Sequence, residues 1–276
     1  MLTTFNNQNI SQFLTREQLE QAIPVAFKNV PTNPKVSQKY VHINTATVID
    51  DLAKLGWQPV QAVQRRTRKS DTIFSKHMVV FQNADLKIKG KDGDDAYPRI
   101  ILTNSSDGFN SFQFRVGIYR LVCSNGLVVA DSEFSSFKIR HMGYSFEELQ
   151  NTITNVVADL PNKLEVLNKM QEKVLTQEEK QLFATNALKI RAGISLDKNK
   201  EYSKEVLEEV LTPLRKEDEA DNLWSIFNIL QEKVIKGGFT APLIGTKVRK
   251  VRPIKSFEKD IRVNQELFRT AINYLN

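Results

Sequence analysis

Three histidines, one cysteine and a few grouped aspartates are the side chains of this sequence that could carry covalent or metal chemistry. His42, His77 and His141 belong to no HxxxH, HExxH or CxxC pattern, the spacings that bring metal ligands together on one turn or helix face. Each reads as a surface or hydrogen-bonded residue, and whether they converge is a question for the fold. Cys123 sits in an apolar strand ahead of a tight turn, where a free thiol is usually buried and inert. Asp92, Asp94 and Asp95 lack the spacing and terminal glutamate of a calcium loop, so they read as a solvated hairpin tip. No Walker A, GxGxxG or GxSxG segment occurs. These residues predict a binding protein rather than an enzyme, with no metal and no cofactor.

The cations are better placed. Thirty-nine Lys and Arg face thirty-two Asp and Glu, a net charge of +7 and a pI near 9.3. A positive surface attracts phosphate and releases its counterions. The segment QRRTRKS at 64–70 places Arg65, Arg66, Arg68 and Lys69 between two expected strands. Lys87, Lys89 and Lys91 share one face of a strand, and TKVRKVRPIK at 246–255 puts five cations in ten residues. Taken singly, each run is equally a solvated face. Arg115 and Arg120 stand inside the most apolar strands, so each must pair with a carboxylate or face a ligand groove. The expected nucleic-acid track is Arg65, Arg66, Arg68, Lys69, Lys87, Lys89, Arg115, Arg120, Lys138 and Arg140. Tyr97, Phe109, Tyr119 and Tyr144 lie near turns where bases could stack on them. Phe112 and Phe114 read as core.

The elements that must position these residues follow from periodicity. Thr15 is the expected N-cap of a short helix, and Asn44 or Thr45 caps a second one whose stripe is Val48, Ile49, Leu52 and Leu55. Strands are expected over 57–64, within 72–89, over 97–103, from Phe112 to Ile118 and over 134–140. Turns are expected at Lys91 to Asp95, at Asp107-Gly108 and at Asn125-Gly126, the last as a two-residue type I′ hairpin. A change of phase after Ile118 predicts a bulge near Gly117. From Ser145 the period becomes helical, with a kink or break at Pro161. Further helices are expected at 177–191 closed by Gly193, at 223–234 ended by Gly237-Gly238, and at 256–275. Residues 194–220 read as charged and patchy, with Lys198 to Glu201 and Arg215 to Asp221 solvated. An antiparallel β-meander packed against helices, with a helical C-terminal half, is an α+β chain. The expected organisation is an N-terminal segment 1–40, an α+β core 41–193 and a helical region 194–276.

The composition, 41% hydrophobic and 26% charged, is that of a soluble globular protein. No stretch approaches about 18 uncharged apolar residues, so no membrane-spanning helix is expected. MLTTFNNQNISQ carries neither a charged nor an apolar leader region, which predicts no signal peptide. A single cysteine fits a reducing, cytoplasmic setting.

Several segments together resemble a family of phage- and plasmid-borne proteins of unknown function, the phage/plasmid-like proteins. They are TVIDDLAKLGWQPVQAVQRRTR at 47–68, KHMVVF at 76–81, NSSDGFNSFQFRVGIYRLVCSNGLVV at 104–129, FKIRHMG at 137–143 and NLWSIFNILQEKVIKGG at 222–238. RLVCSNGL and the Trp-Asn-Gln-Glu-Gly-Gly pattern are the specific parts. Ser106 stands where the family usually has His, and Lys233 where it usually has Asn. The missing His further weakens an enzymatic reading. Membership implies mobile-element biology and an intracellular protein, and no reaction. The β-meander followed by a long helix is also similar, at the level of fold, to phage single-strand annealing proteins, which bind single-stranded DNA in a basic groove and form rings.

The favoured expectation is therefore a cytoplasmic single-stranded DNA-binding protein of phage or plasmid replication or recombination, strand annealing included. Its expected partners are single-stranded DNA, host or phage replication and recombination proteins, and further copies of itself. The alternatives are an anti-defence protein that blocks a host nuclease or restriction system, and a metal-dependent nuclease.

Overall fold

The computed structural model describes residues 5–6, 13–28, 43–65, 74–87, 96–105, 112–120, 126–127, 137–139 and 145–275. The chain divides into two compact units, Met1–Leu160 and Pro161–Asn276.

The first unit is built on an antiparallel sheet. Its strands are β1 (Phe5–Asn6), β2 (Trp57–Gln64), β3 (His77–Asn83), β4 (Ala96–Asn104), β5 (Phe112–Arg120), β6 (Gly126–Leu127) and β7 (Phe137–Ile139). They are ordered β1-β2-β3-β4-β5-β6, and β7 also pairs with β5. Strand register fixes which side chains share a face. Rows such as Ala62, Val79, Leu102 and Phe114 form the apolar face, and Phe81 with Ile100 forms the next row. Phe112 and Phe114 are buried, with rings edge to face at 4.9 Å, as core residues should be.

Helices α1 (Arg16–Ala22), α2 (Thr45–Lys54) and α3 (Phe146–Ala158) supply the other half of this core through Leu19, Val48, Ile49, Leu52, Leu149 and Ile153. Each such burial stabilises the fold by about 1.5–3 kcal/mol. Thr15 caps α1 in a capping box with Gln18, and the Asn44 side chain caps α2.

Two expectations about the sheet fail. The β4–β5 register runs unbroken from Ala96 opposite Arg120 to Thr103 opposite Gln113, so no bulge sits at Gly117. The irregularity is in β2, between Pro59 and Gln61. Pro59 cannot donate to the ladder, and its carbonyl accepts from Leu14 N at 2.7 Å instead. Leu127 stands opposite Ile118 and Gly126 opposite Tyr119, a longer connection than the two-residue turn that Asn125-Gly126 predicts. The expected turns at 91–95 and Asp107-Gly108 lie outside the described residues, as do His42, Cys123 and His141.

The second unit holds α4 (Leu160–Glu172, which starts in the first unit's last residue), α5 (Gln177–Ala192), α6 (Lys204–Leu211), α7 (Leu223–Lys236), the hairpin β8 (Thr240–Ala241) and β9 (Arg249–Lys250), and α8 (Phe257–Ile272). Pro161 occupies the first turn of α4, where its missing N–H costs nothing. Gly193 ends α5 in the left-handed conformation. Phe183, Leu188, Phe227, Leu230, Leu267 and Phe268 are buried where α5, α7 and α8 pack together. Within the charged and patchy 194–220, Asp218, inside a run expected to be solvated, is buried, and Lys204 to Leu211 forms helix α6 with Leu207 and Val210 buried beneath it. Only two of its apolar residues face inward, too short a stripe to stand out among charges.

Candidate nucleic-acid interface

The sheet separates the expected cation track into parts. Gln64, His77 and Asn104 lie in one row at one end of the sheet, and Arg65 N continues the ladder by donating to the Lys76 carbonyl at 2.8 Å. Lys87 follows the opposite end of β3, where Asn83 pairs with Trp57. The six residue steps from His77 to Asn83 put these ends about 20 Å apart. Arg120 pairs with Ala96 at the Lys87 end. Arg66, Arg68, Lys69, Lys89 and Arg140 lie outside the described residues.

Between the ends, register brings the backbone positions of three cations into neighbouring rows. Arg115 is opposite Ile101, Lys138 is opposite Gln113, and Arg99 is opposite Gln82. Arg99 Nε donates to Gln82 Oε1 at 2.8 Å. The Arg115 guanidinium donates to Thr103 Oγ1 at 3.1 Å and to Gln113 Oε1. Both acceptors are neutral, and among the described residues no carboxylate forms an ion pair with Arg115. Burial alone pulls its pKa below the ordinary arginine value. A half-buried cation that has no counter-charge among the described residues is costly. Sequence reasoning missed Arg99; its position opposite Gln82 depends on register, which no local pattern encodes.

At the Arg65 end lies a buried polar network. Asn104 Nδ2 donates to the Ile43 carbonyl at 3.1 Å and to Thr45 Oγ1 at 2.9 Å, and Ser105 N donates to Asn104 Oδ1 at 2.8 Å. Thr45 Oγ1 lies 2.8 Å from His77 Nε2, and His77 Nδ1 lies 3.3 Å from the Ser75 carbonyl. Because Nδ1 faces a carbonyl, which can only accept, Nδ1 carries a hydrogen. Thus His77 is a buried, hydrogen-bonded residue that ties β3 to the start of α2. Among the described residues no three His, Cys, Asp or Glu side chains converge as metal ligands.

The second unit carries the basic run that is described throughout. Lys247, Arg249, Lys250, Arg252 and Lys255 are all exposed, and none forms an ion pair among the described residues. Their placement is the work of α7's end. Gly238 N donates to the Val251 carbonyl at 2.9 Å, Val251 N to the Phe239 carbonyl at 2.8 Å, and Ile254 N to the Ile235 carbonyl at 2.9 Å. Beneath the run, Arg191 is only 7% exposed and donates to the Arg252 carbonyl at 2.6 Å.

The matching family model, described as a domain of unknown function (DUF932), covers residues 34–268. The chain belongs to this family. Two relatives from Escherichia coli K12 are the UPF0380 proteins YafZ and YfjQ. Each is 29% identical over 256 residues, spanning 92% of this chain and 89% of the relative. No solved structure matches the chain.

The family-like stretch at 222–238 has a structural reading. Asn222 caps α7, Asn228 Nδ2 donates to the Trp224 carbonyl, and Gln231 Nε2 donates to Asn264 Oδ1 at 2.7 Å. Glu232 is buried between Arg215 at 2.6 Å and Lys236 at 2.7 Å. The residues therefore fasten α7 to its neighbours, and the two glycines aim the chain into the basic hairpin.

Gln231 and Asn264 lead to Asp260, whose Oδ1 accepts from Asn264 Nδ2 at 2.6 Å. Burial pushes the Asp260 carboxyl up to about 6, against the opposing pull of Asn264 and Arg191. A raised pKa means that the folded state holds the proton more tightly. The resulting stabilisation is complete below about pH 4 and is lost as pH rises through about 6. Asp260→Asn keeps the accepting oxygen and removes the charge. The variant should match the wild type near pH 4 and exceed it by up to about 3 kcal/mol near pH 7.5. Urea midpoints at the two pH values check this, and an equal difference at both would refute it.

No helix among the described residues is long and apolar enough to cross a membrane.

Proposed function

We propose that the protein binds single-stranded DNA through its phosphates and serves replication or recombination of a phage or plasmid, by binding and strand annealing rather than by a reaction of its own. The observation that carries this reading is the exposed run of Lys247, Arg249, Lys250, Arg252 and Lys255, free of ion pairs among the described residues. Charges held in solution without partners gain most from a polyanion, because each phosphate contact releases a counterion. Arg115, half-buried and bonded among the described residues to neutral acceptors, is a second cation suited to an anion. Replication and recombination proteins of the host or element, and further copies of this chain, are the partners that such a role implies.

The test is fluorescence anisotropy with single-stranded DNA across a salt series, beside duplex DNA and RNA. Affinity should fall steeply with salt. The triple variant Lys247→Ala, Arg249→Ala, Lys250→Ala should flatten the log–log slope by about 2, since each single-strand phosphate contact contributes about 0.7. Arg115→Met should weaken binding while leaving the melting temperature unchanged or higher, because it removes a poorly compensated charge. No binding at low salt would overturn the proposal. An unchanged slope in the triple variant would remove the hairpin from it.

A further inference from the structure

The hairpin that carries these cations also carries two exposed aliphatic side chains that the binding of phosphates does not need. Ile244 is 77% exposed and Val248 59% exposed, and they bracket Gly245, Thr246 and Lys247 at the tip between β8 and β9. The tip is tied down. The Gly245 carbonyl accepts from Lys200 Nζ at 2.7 Å, and at the base Thr240 N donates to Glu209 Oε2 at 3.4 Å. Gly245 has a φ of 67°, which lets the chain reverse there. A loop whose shape exists beforehand loses little entropy on binding.

We propose that this tip is a wedge: Ile244 enters an opened base step where duplex DNA meets a single strand, while Lys247, Arg249 and Lys250 hold the flanking phosphates. The proposal rests on the nucleic-acid reading above and adds a substrate structure to it. An aliphatic side chain has no aromatic face for a base and no hydrogen bond for a base edge. It can fill the gap left when two bases unstack, as apolar wedges flanked by cations do in duplex-bending proteins. Unstacking is cheapest beside a strand end, where one neighbour is already missing. Lys247, Arg249 and Lys250 follow the wedge on the β9 arm of the hairpin and match the phosphate backbone that continues on that side. The apolar part is two side chains, far smaller than the apolar face that a membrane-bound element lays into lipid.

The full chain is mixed with a duplex bearing a single-stranded overhang and 2-aminopurine at the junction step. Anisotropy reports binding and 2-aminopurine emission reports unstacking. Wild-type protein should raise the emission several-fold. Ile244→Ser should bind within about threefold of wild type, a change below 1 kcal/mol, and lose the rise. Ile244→Phe should keep it. Val248→Ser, at the other exposed aliphatic residue of the tip, provides a second variant, and thermal melts of all three should match wild type. Binding without a rise in emission, or the same rise with Ile244→Ser, overturns the wedge and leaves DNA binding standing. Absence of binding by the wild type overturns both. Sedimentation with anionic phosphatidylserine vesicles that Ile244→Ser abolishes, with the DNA readouts unmoved, would assign the tip to a membrane and overturn the wedge.

Discussion

Replacing Gly237 by alanine is expected to lower stability by about 3 kcal/mol or more and to release the basic hairpin from its position. Gly237 has φ of 67° and ψ of −139°, a region that L side chains rarely enter, and the backbone strain alone is worth about 1–3 kcal/mol. A Cβ there would stand 2.4 Å from the Val251 carbonyl oxygen and 2.9 Å from the Arg252 carbonyl carbon. These are backbone atoms, so they cannot rotate away, and relief requires β9 and Arg252 to move. Overpacking of this kind adds about 1–3 kcal/mol. Gly238 is the internal control. Its φ is 93°, yet a Cβ at that position would meet nothing within 4 Å, so Gly238→Ala should cost only about 1–3 kcal/mol of strain. Urea denaturation of both variants checks the order. Equal costs would show that the contact with Val251 is not what demands glycine. If the hairpin binds DNA, Gly237→Ala should also weaken binding in protein that remains folded.

Asn104→Ala is expected to cost about 2–4 kcal/mol, a large effect for the loss of one short side chain. Asn104 is 1% exposed and makes three hydrogen bonds, to the Ile43 carbonyl, Thr45 Oγ1 and Ser105 N. Alanine leaves those partners buried and unsatisfied, at about 1–3 kcal/mol each where water cannot reach them. The damage should be local as well as global, because the network joins β3, β4 and the first turn of α2 at the end of the sheet where Arg65 lies. Hydrogen exchange should therefore quicken at Ser105 and in the first turn of α2 before it does in β4's centre. Asn104→Asp provides a second variant: an ionised carboxylate accepts from Ser105 N but cannot donate to the Ile43 carbonyl. A cost below about 1 kcal/mol for Asn104→Ala would mean that water or a neighbour replaces the amide.

Much of the fold is legible in local pattern, because its cause is local. Alternation in Phe112, Gln113, Phe114 and Arg115 predicts a strand with one apolar face, and the face is buried. Thr15, Asn44 and Gly193 mark helix ends because capping depends on residues within one turn. Where local pattern misleads, a distant partner is the reason. Asn125-Gly126 is a strong turn signal, but the pairing of Leu127 with Ile118 is set by the sheet. The charge-rich 194–220 hides α6 because Leu207 and Val210 become meaningful only when a core lies beneath them.

The candidate site divides in the same way. That the chain is basic, and that its cations cluster at 64–70 and 246–255, follows from the sequence by itself, as does the α+β class, since both are sums over residues and short spacings. Which cations meet is decided by tertiary structure alone. Strand order and register put Arg99 beside Arg115's row and send Lys87 and Arg120 to the end opposite Arg65. Likewise, the pairing of Gly238 with Val251 holds the 247–252 run on the surface. Such proximities come from hydrogen bonds between residues far apart in the chain, and no period or spacing within a short window can contain them.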